Sequence, residues 1–133
     1  MLKTQRRAPS GAKRVGRWMS RASLLVDQIE RWAKDVGWNE DRDAKPVDGG
    51  HPEGHPAPAL VVHMRRGELQ VRPVPFDDAG TRGRVDVEGY PTMNRVSLVW
   101  RRGTWEVITE SNVPLRAPWT PGTFVQLAKD LVA

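Results

Sequence analysis

The spacing of the apolar residues changes twice along this chain, and that change constrains the fold more than any other feature. Between 13 and 37 apolar residues recur every three or four positions, which is typical of an amphipathic helix. Between 59 and 109 they alternate with polar residues, as in half-buried strands. After Thr120 and Pro121, a suitable cap and first helical residue, the helical spacing returns. The sequence therefore predicts an α+β fold: a helix, an antiparallel sheet of about five strands, and a second helix.

Two of the predicted hairpins resemble each other. Residues 60–71 and 96–107 superimpose after a shift of 36 positions, and each contains Arg-Arg-Gly at its turn. A duplicated hairpin would explain the similarity, and so would the common requirements of two amphipathic hairpins with a glycine in the turn. A short alternating strand is expected at 84–88, between the two hairpins.

The chain divides into a short arm and one domain. Residues 1–12 show no apolar periodicity, so we expect a disordered basic arm unless a partner orders it. Residues 13–133 have the length of a single domain, with a mobile loop at 38–58 that is rich in acidic residues, proline, glycine and histidine. Gly37 is expected to end the first helix. The isomer of the Tyr90-Pro91 bond is left open.

The excess positive charge is confined to the N-terminal region. The first 21 residues hold seven basic residues and no acid, whereas the remaining 112 hold fourteen basic and sixteen acidic residues. A segment with this charge attracts phosphates or an acidic protein surface. The residues predicted to bind nucleic acid or an acidic partner are Arg6, Arg7, Lys13, Arg14, Arg17 and Arg21.

Tryptophan is frequent, with six residues against two Phe and one Tyr. Most are expected in the core, but Trp and Arg are also enriched in binding hot spots. Trp38, at the start of the loop, and Trp119, before the last helix, are predicted to contact a partner protein, although Trp119 could equally pack on that helix. Four arginines in the two hairpin turns could extend a basic surface: Arg65, Arg66, Arg101 and Arg102. A meander, however, places the two turns at opposite ends of the sheet.

An enzymatic alternative rests on Asp86 and Glu88, which a strand places on one face. Together with the loop histidines they could form a metal-dependent hydrolase or nuclease-like site. The strand has no lysine to stabilise developing charge, and alternation of charged residues with valine is also what a half-exposed strand requires. His51, Glu53 and His55 lie in a Pro/Gly loop that fixes no ligand geometry. We therefore predict no bound metal or cofactor and favour a protein without catalytic activity.

A second alternative is a small-ligand-binding cone, in which a curved sheet and helices surround an apolar pocket. The hairpin at 96–107 is similar in pattern to the late hairpins of cystatin-like cone folds. One helix, rather than several, precedes the sheet in this chain, so no site residue follows from the resemblance.

The composition excludes several classes of protein. Without cysteine there is no disulfide scaffold, thiolate metal site or cysteine nucleophile. No apolar run approaches the roughly 18–20 residues that span a bilayer, and no apolar segment follows the basic N-terminus as in a signal peptide. We expect a cytoplasmic protein-interaction module or accessory subunit that binds another protein, with DNA or RNA as the alternative partner of the arm. The oligomeric state is left open.

Overall fold

The computed structural model describes the backbone of residues 2–42, 58–74, 83–110 and 115–133, and within these ranges the side chains from 16 onward. It confirms the α+β class, with a helix at each end of an antiparallel sheet. The sheet has six strands, one more than the sequence predicts. The elements are α1 (Leu2–Asp35), β1 (Asn39–Asp41), β2 (Leu60–Met64), β3 (Gly67–Val74), β4 (Arg84–Tyr90), β5 (Arg95–Arg101), β6 (Thr104–Thr109) and α2 (Pro121–Val132).

The first helix ends where the sequence predicts. Gly37 has a φ of +84°. Its N–H donates to the carbonyl of Lys34 at 2.9 Å, and the N–H of Trp38 donates to the carbonyl of Ala33 at 2.9 Å. This is a Schellman motif, which favours glycine because the left-handed backbone meets no Cβ. The helical backbone begins at Leu2; the predicted disorder of residues 1–12 stays a prediction.

The additional strand is β1, which lies inside the segment 38–58 that the sequence predicts as a loop. It pairs antiparallel with β2, with Glu40 opposite Val62. An ion pair of 3.3 Å between Lys34 and Glu40 links it to α1. Three residues give too short an alternation to be recognised, and Asn, Glu and Asp are uncommon in strands. The remainder of the predicted loop, at 43–57, lies outside the described residues.

The six strands follow one another in chain order, each antiparallel to its neighbours. Because side chains alternate along a strand, this meander has two different faces. Both helices cover the apolar face, with Leu25 and Ile29 of α1 and Phe124 of α2 almost completely buried there. Burying each such side chain contributes about 1.5–3 kcal/mol. The strand residues of this core are Leu60, Val62, Leu69, Val71, Val85, Val87, Val96, Leu98 and Val107.

The two hairpin turns differ, although both contain Arg-Arg-Gly. Between β2 and β3 the turn consists of Arg65 and Arg66. Between β5 and β6 it consists of Arg102 and Gly103, whose φ angles of 53° and 78° are those of a type I′ turn. The same three residues therefore occupy different positions relative to the two turns.

This difference changes the strand register. Leu60 lies opposite Val71, so the 36-residue overlay would place Val96 opposite Val107. Instead, Val96 lies opposite Thr109. The pairing therefore does not support a duplicated hairpin, and it agrees with the alternative that two amphipathic hairpins share a pattern. The two turns lie at opposite ends of the sheet, as the sequence predicts for a meander.

The Tyr90–Pro91 peptide bond is cis. Among the helices in the described ranges, none is both long and apolar enough to cross a membrane.

Candidate functional site

A groove of about 870 Å³ opens where α1, the β5–β6 hairpin and the segment before α2 meet. The principal contacts between helices and sheet fall on β1 to β4, and the end of this hairpin that carries Trp100 and Trp105 borders the groove. Guanidinium groups, indole rings and an exposed leucine form its walls. We call it the tryptophan groove and define it by Arg17, Arg21, Leu24, Trp100, Trp105 and Trp119.

Arg21 stacks on one wall of the tryptophan groove. Its guanidinium carbon lies 4.5 Å from the centroid of the Trp100 ring, which is a cation–π contact. Trp100 lies opposite Trp105 on the neighbouring strand, and the two rings meet edge to face with centroids 5.3 Å apart. Such a cross-strand aromatic pair contributes up to about 1 kcal/mol. The sheet therefore gives the Arg21 guanidinium a rigid support.

Trp119 forms the facing wall. Its Nε1 donates a hydrogen bond to Oε1 of Gln28 on α1 at 2.8 Å. Its ring packs against Trp32 at 5.4 Å and against Phe124 at 6.0 Å. From the sequence, Trp119 could either contact a partner or pack on the last helix. Its contact with Phe124 shows that it packs on α2. The same half-buried indole also lines the groove, as an interface role requires.

The tryptophan groove is positively charged. Its lining includes no acidic residue in the described part of the chain, and no described carboxylate forms an ion pair with Arg17 or Arg21. Arg42 is a contrasting case, because it bonds to Glu30 at 3.0 Å and also to Asp27. The bond to Arg42 lowers the pKa of Glu30, and the same contacts raise the pKa of Arg42. None of the described carboxylates offsets the charge of the two groove arginines in this way.

The remaining predicted interface residues divide between two places. Trp38 lines a pocket of about 300 Å³ together with Arg65, Arg66 and Lys129, at the other end of the sheet. The half-buried Trp38 ring also packs edge to face on Phe124, with centroids 6.1 Å apart. The structure thus brings Trp38 and the first turn together in one pocket, whereas Trp119, which also packs on Phe124, lines the tryptophan groove.

The second turn lies beside the tryptophan groove. Nη1 of Arg101 is 3.4 Å from Oε1 of Glu106, so its charge is partly compensated. Arg102 is exposed in the turn, next to Gly103, which lines the groove. Of the six residues predicted to bind nucleic acid or an acidic partner, only Arg17 and Arg21 have described side chains, and both lie in the groove. The other four fall outside the described side chains: Arg6, Arg7, Lys13 and Arg14.

Asp86 and Glu88 lie on the face of the sheet opposite to the helices, as their spacing predicts. Asp86 is 3% exposed and accepts a hydrogen bond from Ser97 at 2.7 Å and another from Arg84 at 2.9 Å. Both bonds end on Oδ1, so this oxygen is already used by the chain. Within the described ranges, no group of three metal-ligating side chains is present.

Glu88 belongs to a second polar network on that face. Nη1 of Arg72 lies 3.7 Å from its carboxylate, and the Tyr90 hydroxyl donates a hydrogen bond to it. Arg72 also donates to the side chain of Gln70. Burial and the hydrogen bond to Glu88 raise the pKa of Tyr90 above its usual value. These contacts give the Glu88 carboxylate a cation and a hydrogen-bond donor from its own chain.

The ligand-binding alternative corresponds to a different cavity. An apolar pocket of about 480 Å³ lies between the β5–β6 hairpin and α2, bordered by Val96, Val107 and Leu127. Its position between sheet and helix is the one expected in a cone. The binding of a small ligand there stays a prediction.

Sequence reasoning did not assign a functional role to Trp100, Trp105 or Leu24. The sequence does show Trp100 and Trp105 flanking a turn, where they can pair across strands. It gives no signal that joins them to Arg21, because that contact depends on where α1 crosses the sheet. In the sequence, the one local signal for this wall of the groove is that Leu24 lies outside the apolar stripe of α1. In the structure, its side chain is 69% exposed.

A scan against protein-family models, a search of curated proteins and a search of solved structures each found no match for this chain.

Proposed function

We propose that this chain is a non-catalytic protein-interaction module, or accessory subunit, that binds a partner protein in the tryptophan groove. One observation carries the proposal: Arg17 and Arg21 converge with three indoles in a groove that has no acidic residue among its described lining. Trp and Arg are the side chains that contribute most binding energy at protein interfaces. A basic lining selects partners whose docking segment is acidic.

The exposed apolar surface in the groove supports the same function. Leu24 is 69% exposed on α1 and lines the groove. An isolated exposed leucine needs no explanation, but here it adjoins indoles and guanidinium groups. That combination of an apolar centre and a charged rim is typical of a binding surface.

The contacts of the acidic residues also favour a binding protein. The carboxylates of Asp86 and Glu88 are engaged by Arg84 and Arg72. A general base needs a carboxylate within reach of a substrate proton, and a magnesium site needs open carboxylate oxygens. Asp86 and Glu88 are each paired with an arginine, which supports a structural role for both carboxylates on the face opposite to the helices.

Nucleic acid is the second candidate partner, because Arg17 and Arg21 continue the positive charge of the arm into the groove. Single-stranded nucleic acids bind to basic surfaces with exposed aromatic faces. In the tryptophan groove, however, one face of Trp100 is covered by Arg21 and the Trp119 ring packs on its neighbours. This geometry favours a protein. A cytoplasmic location belongs to the same proposal and rests on the sequence argument.

Site-specific photo-crosslinking tests the proposal. The full chain carries a photoreactive benzoylphenylalanine in place of Leu24 in the groove, and a matched chain carries it in place of Met93. Met93 is also exposed but lies in the β4–β5 turn, at the opposite end of the sheet. Both chains are irradiated in an extract of the source cells and treated with nuclease or protease before mass spectrometry.

The proposal predicts a nuclease-resistant protein adduct from the groove position that the Met93 position does not give. The additional substitution Arg21→Gln should reduce its yield. Equal adducts from both positions, or no protein adduct from the groove, would contradict the proposal. A nuclease-sensitive adduct would identify nucleic acid as the partner instead.

A further inference from the structure

We propose that the tryptophan groove recognises a carboxylate on an extended segment of the partner protein. Arg21 binds this carboxylate, and Trp100 positions Arg21. The inference rests on the proposed function and adds the chemistry of the ligand: an Asp or Glu side chain with an apolar residue beside it.

The stacked geometry leaves the binding groups of Arg21 accessible. A guanidinium on an aromatic ring uses its flat face, whereas its five N–H donors point outward in the plane of the group. Two of them on one edge match the two oxygens of a carboxylate. The guanidinium carbon lies 4.5 Å from the centroid of Trp100, so the ring restricts the positions open to this side chain before a ligand arrives. Less side-chain freedom is then lost on binding.

Arg17 supplies a second charge to the same site. It lies one helical turn before Arg21 on α1, and both residues line the groove. No carboxylate in the described part of the chain competes for either of them. The exposed side chain of Leu24 lies three positions after Arg21, so an apolar side chain next to the bound carboxylate has a surface to cover.

An edge strand beside the site favours an extended ligand. In the part of the chain that the structure describes, β6 is the last strand of the sheet. The N–H of Leu115 donates to the carbonyl of Val107 at 2.8 Å, so Val107 directs its backbone groups away from β5. Outward groups recur at every second residue of an edge strand, which makes Trp105 the next such position. Trp105 lines the groove, and its N–H and C=O can bind the backbone of an extended segment.

Selection from a display library of random twelve-residue peptides on the full chain tests the inference. We expect the enriched peptides to share an Asp or Glu next to an apolar residue. Changing that acid to its amide should weaken binding by about tenfold or more, because a charge-assisted bidentate pair is lost. Each peptide is measured as a purified, fluorescein-labelled chain by fluorescence anisotropy.

Variants of the protein distinguish bidentate binding by the Arg21 guanidinium from simple attraction of opposite charges. Arg21→Lys keeps the charge and loses the planar fork, so we expect acidic peptides to bind about tenfold more weakly. Trp100→Leu should weaken binding in the same direction while the charge stays in place. Arg95→Lys, at the exposed start of β5 and at the opposite end of the sheet, is the matched control and should bind as the unchanged protein does. Circular dichroism melting confirms that each variant is folded.

Enriched peptides without a shared acid, no enriched peptide at all, or equal binding by Arg21→Lys and the unchanged protein would overturn the inference. A ten-residue oligothymidine that binds more tightly than the acidic peptides would overturn it in favour of a nucleic acid. If a protein is still cross-linked at Leu24 while the acid proves irrelevant, the proposed function stands and this inference fails.

Discussion

Arg72 shows how a buried charge is accommodated on the face of the sheet opposite to the helices. Its side chain is 4% exposed, and its neighbours are the Glu88 carboxylate and the Gln70 amide. In the described residues, its Nε has no hydrogen-bond partner. Burying a charge costs free energy that only well-placed partners offset. The network is therefore sensitive to the loss of any member.

The substitution Arg72→Met is expected to lower the free energy of unfolding by about 3 kcal/mol, because it leaves the Glu88 carboxylate without its cation. The double variant Arg72→Met with Glu88→Leu removes both charges and should recover part of that loss. Urea denaturation followed by tryptophan fluorescence measures both variants. A single variant as stable as the unchanged protein would contradict the ion-pair role.

Gly67 and Gly103 occupy the same place in the two Arg-Arg-Gly sequences but meet different constraints. A Cβ on Gly67 would lie 2.0 Å from the backbone oxygen of Tyr90. A Cβ on Gly103 would meet open space, but its φ is +78°. One glycine is required by a close approach between strands, and the other by the turn.

Alanine at these two positions should therefore have unequal effects. We expect Gly67→Ala to destabilise by about 2–3 kcal/mol, because the backbone must shift. Gly103→Ala should cost about 1 kcal/mol, the price of a left-handed residue with a Cβ. Thermal melting of both variants is the measurement, and the reverse order would contradict the assigned registers.

The sequence predicts local residue roles well and distant ones poorly. Gly37 and Thr120 are predicted correctly, since a helix end depends on its own neighbours. The two Arg-Arg-Gly turns could not be told apart, because their register depends on pairing along whole strands. The contact between Arg21 and Trp100 joins distant positions, and no local pattern indicates it.

At the scale of elements, Arg42 connects the end of β1 to α1. It donates to Glu30 at 3.0 Å and also contacts Asp27. These side chains are partly exposed, so the cluster contributes modestly to stability, about 0.5–1 kcal/mol. Its significance is positional, because β1 is a three-residue edge strand with few other restraints.

The contribution of this cluster should depend on pH. The hydrogen bond from Arg42 lowers the pKa of Glu30 below its usual value of 4.5. The stabilisation is therefore present above that value and is lost as the pH falls through the lower folded-state pKa. At about pH 7, Arg42→Gln should be less stable than the unchanged protein by about 0.5–1 kcal/mol. At about pH 2 the two proteins should be equally stable. An equal difference in urea denaturation at both pH values would contradict this account.

Long elements could be predicted from the sequence because their periodicity reflects burial. The alternation at 60–71 and 96–107 arises from one face packed on the helices. β1 shows no periodicity of this kind, because it has only three residues and all are polar. It is a strand because it pairs with β2. The missed strand is thus an element formed by tertiary contact and not by local preference.

For the whole molecule, the two predicted groups of interface residues lie at opposite ends of one sheet. The tryptophan groove adjoins the β5–β6 turn, while Trp38 and the β2–β3 turn form the other pocket. The topology therefore does not favour a single partner that binds one continuous basic face. The groove is the stronger site because two arginines and three indoles meet in it.

The N-terminal arm should determine any binding to nucleic acid. Deleting residues 1–14 removes five of the seven basic residues found in the first 21. We expect this deletion to abolish salt-sensitive binding to DNA or RNA, because that attraction depends on the number of phosphates contacted. Gel-shift titration at about 50 mM salt measures it. If the intact protein shows no binding at that salt concentration, the nucleic-acid hypothesis fails.

The central claim is that a partner segment occupies the tryptophan groove, and the six indole N–H signals of the protein test it most directly. In an NMR titration of ¹⁵N-labelled protein with an acidic peptide obtained by selection, the signals of Trp100, Trp105 and Trp119 should shift. The signal of Trp38, which lines the other pocket and is linked to Trp119 only through Phe124, should shift less than these three. Shifts at Trp38 with none at the three groove indoles would contradict the account.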